Sequence, residues 1–266
     1  MNRQGIIEAI RSRKSCLCVG LDPDMTKLPG HLPRNAASIT AFNKEIIDAT
    51  RDLCVAYKLN TAFYEVLGAT GWKVMEETVG YIGNKHFLIA DAKRGDIGNT
   101  SAQYAKAFLE NMPFDAITVS PYMGSDSIQP FLGIPEKWVI ILGLTSNKGS
   151  IDFQKQPVGD GYLWERVLQT TSGYGSMENL MYVIGATQAT DLKRVREILP
   201  GHFLLIPGVG TQGGSVAEVM ANGCNRDCGL LINVSRSIMF AGSGHDFAIA
   251  ARQAASRFQN EMKDYL

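Results

Sequence analysis

The densest collection of reactive side chains in this sequence is the run DAKRGDIGNT, residues 91 to 100, which follows the apolar Phe87, Leu88 and Ile89. Successive side chains of a strand point to opposite faces. Phe87, Ile89, Asp91 and Lys93 therefore share one face, and Leu88, Ala90 and Ala92 the other. A lysine beside carboxylates is held as the ammonium, which makes it a proton donor rather than the neutral amine that Schiff-base chemistry requires. Gly95 allows a sharp turn. Asp96 and Thr100 then fall at the start of the next helix, where the helix dipole favours an acid. The same residues also suit an ion pair followed by a helix cap, and the run alone leaves both readings open.

A second cluster joins IPGVGTQGG, residues 206 to 214, to INVSRS, residues 232 to 237. Glycine-rich backbone lets amide groups approach an anion closely, and Arg236 adds a forked cation that can grip a phosphate through two hydrogen bonds. The alternative is a tight turn and a surface arginine. Gly208, Gly210 and Gly213 also spell GxGxxG, with Asp227 beyond. A dinucleotide domain would need several more strand–helix units after that motif, and too little chain remains. No metal site is expected: His31, His86, His202 and His245 are scattered. Cys16, Cys18, Cys54, Cys224 and Cys228 make neither paired CxxC ligands nor a disulfide framework. An odd number of cysteines in this arrangement points to a reducing cytoplasm.

Something must hold these clusters together. Short β-rich runs recur eight times: CLCVGLD, VAYKLN, FLIADAK, AITVS, WVIILGLTS, MYVIGAT, FLLIPGVG and LLINVSR. Between them lie stretches of helical periodicity, among them 39 to 53, 98 to 112, 189 to 199 and 246 to 262. Eight strands alternating with helices in 266 residues is the arithmetic of a single (β/α)8 TIM barrel occupying residues 1 to 266, with a parallel eight-stranded core. The strands end in Asp22, Lys58, Asp91 with Lys93, Ser120, Ser146, Thr187 and Arg236. In this architecture the active site lies at the carboxyl-terminal ends of the strands. The polar segment 147 to 160 reads equally as a lid or as an inert surface loop.

Composition sets the remaining bounds. There are 26 basic and 26 acidic side chains, for a formal net charge of zero, so no basic excess would drive binding to nucleic acid or a membrane surface. The longest purely apolar run, residues 138 to 142, is far too short to span a bilayer. The N-terminal Ile6, Ile7, Ala9 and Ile10 mark one face of a helix, not a signal peptide. Any anionic ligand must be held by local groups.

The spacing DxKxxDIxxT of residues 91 to 100 resembles the orotidine 5'-monophosphate decarboxylase family. So, in the same order, do LD at Asp22, YK at Lys58, LTS at Ser146, PGVGTQGG with Pro207 and Gln212, and the pair Ser235 and Arg236. The segment after the fifth strand is similar to that of the longer bacterial subgroup. The family often has glycine where this chain has Ser235. The resemblance implies decarboxylation of orotidine 5'-monophosphate to uridine 5'-monophosphate in pyrimidine biosynthesis, without a cofactor. It implies catalytic roles for Lys93, Asp91, Asp96 and Lys58. It further implies that Asp22 holds ribose, Ser146 reads the pyrimidine edge, Gln212 bridges base and phosphate, and Arg236 grips phosphate. Asp96, with Ile97 and Thr100, would serve the neighbouring site of a homodimer. Related barrels that act on sugar phosphates share a DxKxxD core, so a sugar-phosphate decarboxylase or lyase is the alternative enzyme. A silent phosphate-ligand binder is the alternative outside catalysis.

Overall fold

The computed structural model describes residues 1 to 210 and 213 to 266. Eight parallel strands close into a barrel in sequence order: β1 (Leu17–Gly20), β2 (Ala56–Asn60), β3 (Phe87–Arg94), β4 (Ala116–Val119), β5 (Trp138–Leu144), β6 (Leu180–Ile184), β7 (Phe203–Pro207) and β8 (Leu230–Val234). Each expected strand is present. Strand β8 closes the barrel onto β1, pairing Ile232 with Leu17 and Val234 with Val19. The strands are Val-, Ile- and Leu-rich because both of their faces are covered.

The helical shell follows the 3.6-residue period. In the helix Ala36–Thr50 the buried positions include Ile39, Phe42, Asn43, Ile46, Ile47 and Thr50, one continuous stripe, with Ser38 and Thr40 buried at its edge. The C-terminal helix Phe247–Lys263 buries Phe247, Ala251, Ala254, Ala255 and Met262 in the same way. The stretch expected as one helix from 98 to 112 is an α-helix over Gly98–Ala105 that widens into a π-turn over Lys106–Asn111. The stretch expected from 189 to 199 is a 3₁₀ segment, Ala186–Asp191, leading into the helix Leu192–Ile198. Among the described residues, no helix is long and apolar enough to cross a membrane.

The N-terminal helix Arg3–Arg13 lies across the amino-terminal end of the barrel. The Met1 carbonyl accepts a hydrogen bond from Trp138 Nε1 at 3.0 Å, at the start of β5. The Arg3 guanidinium sits over the Phe203 ring at the start of β7 and pairs with Asp227 at 3.1 Å. The helix thus packs on that end, and a cavity opens among the carboxyl-terminal strand ends.

Residues 147 to 160 carry structure that periodicity did not announce. A 3₁₀ turn, Lys148–Ile151, precedes a small antiparallel hairpin in which Pro157 pairs with Tyr162 and Val158 with Gly161. Gly159 supplies the positive φ of 62° that a two-residue hairpin turn demands.

Candidate active site

At the open end, Asp91 is the centre of a chain of alternating charges. Its Oδ2 accepts from Lys58 Nζ at 2.9 Å, and its Oδ1 accepts from Lys93 Nζ at 2.6 Å and from the Thr118 hydroxyl at 3.0 Å. Lys58 Nζ also lies 3.6 Å from Asp22 Oδ1. Asp22 is fixed in turn by the Asn60 amide at 3.1 Å and by the Ser235 hydroxyl at 2.7 Å. Adjacent strand ends bring these residues together: β2 and β3 pair in a register that sets Asn60 against Asp91.

Burial pulls the Lys58 ammonium down, but the carboxylates of Asp22 and Asp91 overcome it and hold Lys58 above its ordinary value. Burial likewise opposes charge on Asp91, yet Lys58 and Lys93 keep its carboxyl well below the usual carboxylate range. Both groups are therefore ionised at neutral pH. The two lysines differ in access. The Lys58 side chain is 4% exposed and the Lys93 side chain 50%, so Lys93 is the more open of the two to a ligand.

Strict alternation alone does not deliver Lys93 to Asp91. Between Ala90 and Arg94 the register with β4 shifts through a bulge, and Lys93 has a left-handed backbone with φ of 48°. Its amide donates to Thr118 Oγ1 at 2.9 Å, so Thr118 holds both the backbone of the lysine and the carboxylate beside it. The sharp turn expected at Gly95 is thus made two residues earlier. Gly95 passes close to Ser120, where an added Cβ would lie 3.4 Å from that residue. Thr118 was legible in principle, since in AITVS it alternates with Ile117 and Val119 on the same face as Ser120.

The charges border a cavity of about 540 Å³ whose floor is apolar, with Leu142, Val183 and Leu205 contributing. Of the residues expected in the site, Asp22, Lys58, Asp91, Lys93, Ser146, Pro207, Ser235 and Arg236 all line it. Asn233 of the INVSRS run lines it as well, as do Asn60 and Phe240, which no sequence motif marks. Ser235, where the family often has glycine, turns its hydroxyl to Asp22. At the glycine-rich turn, Gly208, Gly210 and Gly213 all have positive φ, which accounts for their spacing without a dinucleotide. Gln212 lies outside the described residues.

Asp96, Ile97 and Thr100 do not line this cavity. Asp96 precedes Ile97, the N-cap of the helix Gly98–Ala105, and its carboxylate accepts from the Ile97 amide at 2.8 Å. It is therefore one step outside the helix it was expected to begin. Among the described residues Asp96 makes no ion pair with Lys58 or Lys93. Within one chain the alternation is thus Asp22, Lys58, Asp91, Lys93. Among the described residues no cluster of three or more His, Cys, Asp or Glu is arranged to hold a metal. All five cysteines are free thiols.

A closed parallel barrel with an acid–base array at the carboxyl ends of its strands and glycine turns beside it has the build of a (β/α)8-barrel enzyme. Residues 15 to 250 match the family described as orotidine 5'-phosphate decarboxylase / HUMPS, and the chain belongs to that family. It is 52% identical over 270 aligned positions to the orotidine 5'-phosphate decarboxylase of Bacteroides fragilis strain YCH46, spanning 100% of this chain and 98% of that one. The corresponding protein of Parabacteroides distasonis is 53% identical, with 100% and 96% covered. Among solved structures, Leishmania donovani OMP decarboxylase superposes with a TM-score of 0.83 at 37% identity, covering 98% of this chain and 99% of that one. Leishmania donovani UMP synthase gives 0.85 at 38% identity, but this chain covers only 57% of its length, against 97% of its own.

Proposed function

We infer that this chain is a carboxy-lyase that converts orotidine 5'-monophosphate to uridine 5'-monophosphate and CO2 in pyrimidine biosynthesis, with the whole chain acting as one catalytic unit. The observation that carries the reading is the pairing of an accessible ammonium, Lys93, with the ionised Asp91 at the mouth of an apolar-floored cavity.

Breaking the bond between C6 and its carboxylate releases CO2 and leaves an electron pair on C6 that cannot delocalise like an enolate. Lys93 stabilises that charge and then transfers its proton to C6, and the neutral amine regains a proton from solvent. The stabilisation is electrostatic, and it is asked for a contribution toward the upper end of the roughly 8–23 kcal/mol that enzymes supply. Asp91 holds Lys93 in place through their 2.6 Å contact, and its own charge disfavours the substrate carboxylate. Asp22 holds ribose, Ser146 reads the pyrimidine edge, and Gln212 bridges base and phosphate. Arg236, with Pro207 and Ser235 beside it, binds the phosphate, whose binding energy organises the reacting end. These steps call on the protein's own side chains and on no cofactor.

A homodimer completes the site. Asp96 from the neighbouring subunit, flanked by Ile97 and Thr100, extends the array to Lys58, Asp91, Lys93 and Asp96. Support comes from exposed apolar groups on the segments that follow β3, β4 and β5. Ile97 is 60% exposed, Tyr122 84% and Phe153 64%, the last two with ring centroids 6.4 Å apart. Large exposed apolar groups gathered at one rim favour burial by a partner. Free thiols suit a cytoplasmic enzyme.

The test is direct. Purified protein is incubated with orotidine 5'-monophosphate and a chelator, and loss of orotate absorbance is followed together with CO2 release. Matched, chelator-insensitive progress is expected. Absence of CO2 would refute the assignment, and turnover abolished by chelator would favour a metal-dependent sugar-phosphate enzyme of the same barrel type.

A further inference from the structure

We propose that Gln154, in the segment after β5, is a positioning residue for recognition of the pyrimidine base. The proposal rests on the reading that the turn carrying Ser146 meets the base. Thr145 and Ser146 line the cavity immediately beyond β5, where the backbone leaves the strand ladder and must find other partners. The Thr145 amide donates to Gln154 Oε1 at 2.7 Å. That bond also fixes which end of the Gln154 amide is the oxygen, because a backbone N–H needs an acceptor. Gln154 Nε2 then donates to Thr145 Oγ1 at 2.9 Å, leaving the Thr145 hydroxyl proton for Asn147 Oδ1 at 2.6 Å.

The bracket is held from behind. The Gln154 carbonyl accepts from the amide of Trp164 at 2.9 Å, and Trp164 is buried. Lys155 bonds Gln188 Oε1 at 2.7 Å and Asp191 Oδ2 at 3.1 Å. Gln188 reaches the Thr145 carbonyl at 3.3 Å, and Thr187 the Ser146 carbonyl at 3.3 Å. Gly185 presses against the same turn so closely that a Cβ there would lie 2.6 Å from the Ser146 amide nitrogen. The insertion is thus bonded to the turn beyond β5 through Gln154. It clamps the turn between two strand ends, and a turn fixed before the ligand arrives spends no binding energy on ordering.

The effect should be confined to the base end of the ligand, which a merely structural role would not produce. Affinities for uridine 5'-monophosphate and for ribose 5-phosphate, which lacks the base, are measured for the wild type, Gln154→Ala and Gln154→Glu, together with the melting temperature. Gln154→Ala should weaken uridine 5'-monophosphate about tenfold and leave ribose 5-phosphate within about twofold, with kcat/KM for decarboxylation falling in parallel. Gln154→Glu keeps an acceptor for the Thr145 amide and should recover most of the loss. Equal weakening of both ligands, or no weakening in a folded Gln154→Ala protein, overturns the proposal. If Gln154→Ala does not fold, Lys155→Met decides: a loss of about threefold for the nucleotide alone supports the bracket, and an equal or absent loss overturns it. A wild-type protein that binds ribose 5-phosphate but gains nothing from the base refutes the functional reading itself, and this proposal with it.

Discussion

The shared-site reading can be tested by mixing two dead proteins. Lys93 is tied to Asp91 within its own chain, whereas Asp96 is turned to its own Ile97 amide outside the cavity. If Asp96 acts in the neighbouring site, a mixed dimer of Lys93→Ala and Asp96→Ala subunits pairs one site bearing both lesions with one bearing neither. If Asp96 acts within its own chain, every site keeps one lesion. Random exchange makes about half of the dimers mixed, each with one intact site of two, so activity should approach roughly a quarter of wild type at equal total protein. Each parent alone should lose at least about 10³-fold, because each lacks a group that touches the reacting charge, so the recovery stands far above background. The assay is decarboxylation at saturating substrate after incubation of an equimolar mixture, with exchange followed by native mass spectrometry of a tagged variant. Activity that stays at the parental level despite proven exchange would refute the argument.

Lys93→Ala by itself should retain its fold and bind uridine 5'-monophosphate within about tenfold of wild type while turnover all but vanishes; substantial turnover would exclude Lys93 as the proton donor. Arg236→Ala should lower kcat/KM for the nucleotide about 100-fold, yet change that for orotidine, which has no phosphate, by less than about threefold. Equal losses would assign Arg236 another role. Burial pushes the imidazoles of His86 and His202 down to about 4, and among the described residues neither nitrogen of His202 has a hydrogen-bond partner. The unfolded chain binds their protons nearer 6.5, so their contribution is complete above that pH and falls away as the pH drops toward 4. Across that window the unfolding free energy of a His202→Phe protein should vary less with pH than that of wild type, by of order 1–2 kcal/mol. Parallel curves would refute it.

The barrel was legible because strand and helix periods differ and because eight apolar runs leave room for little else. The site was legible where chemistry is concentrated, at Asp91 and Lys93, and where glycine spacing marks a turn. Thr118 escaped because a threonine in a strand looks like any β-branched residue, and its role depends on a bulge that shifts register by a cooperative rearrangement of two strands. The hairpin of residues 157 to 162 was hidden by its shortness, since two-residue strands have no period to read. Gln154 looked like loop polarity because its partner, Thr145, is recognised only once the chain has folded back.

The left-handed backbone of Lys93 bears on how this protein can change. A side chain in that conformation costs about 1 kcal/mol or more relative to glycine, so Lys93→Gly would relieve the backbone while removing the ammonium. Against that relief stands the loss of the Lys93–Asp91 ion pair at 2.6 Å, so the same substitution uncovers charge on a largely buried carboxylate. Backbone and ion pair thus pull position 93 in opposite directions, and a stabilised variant library should be screened with that position held fixed.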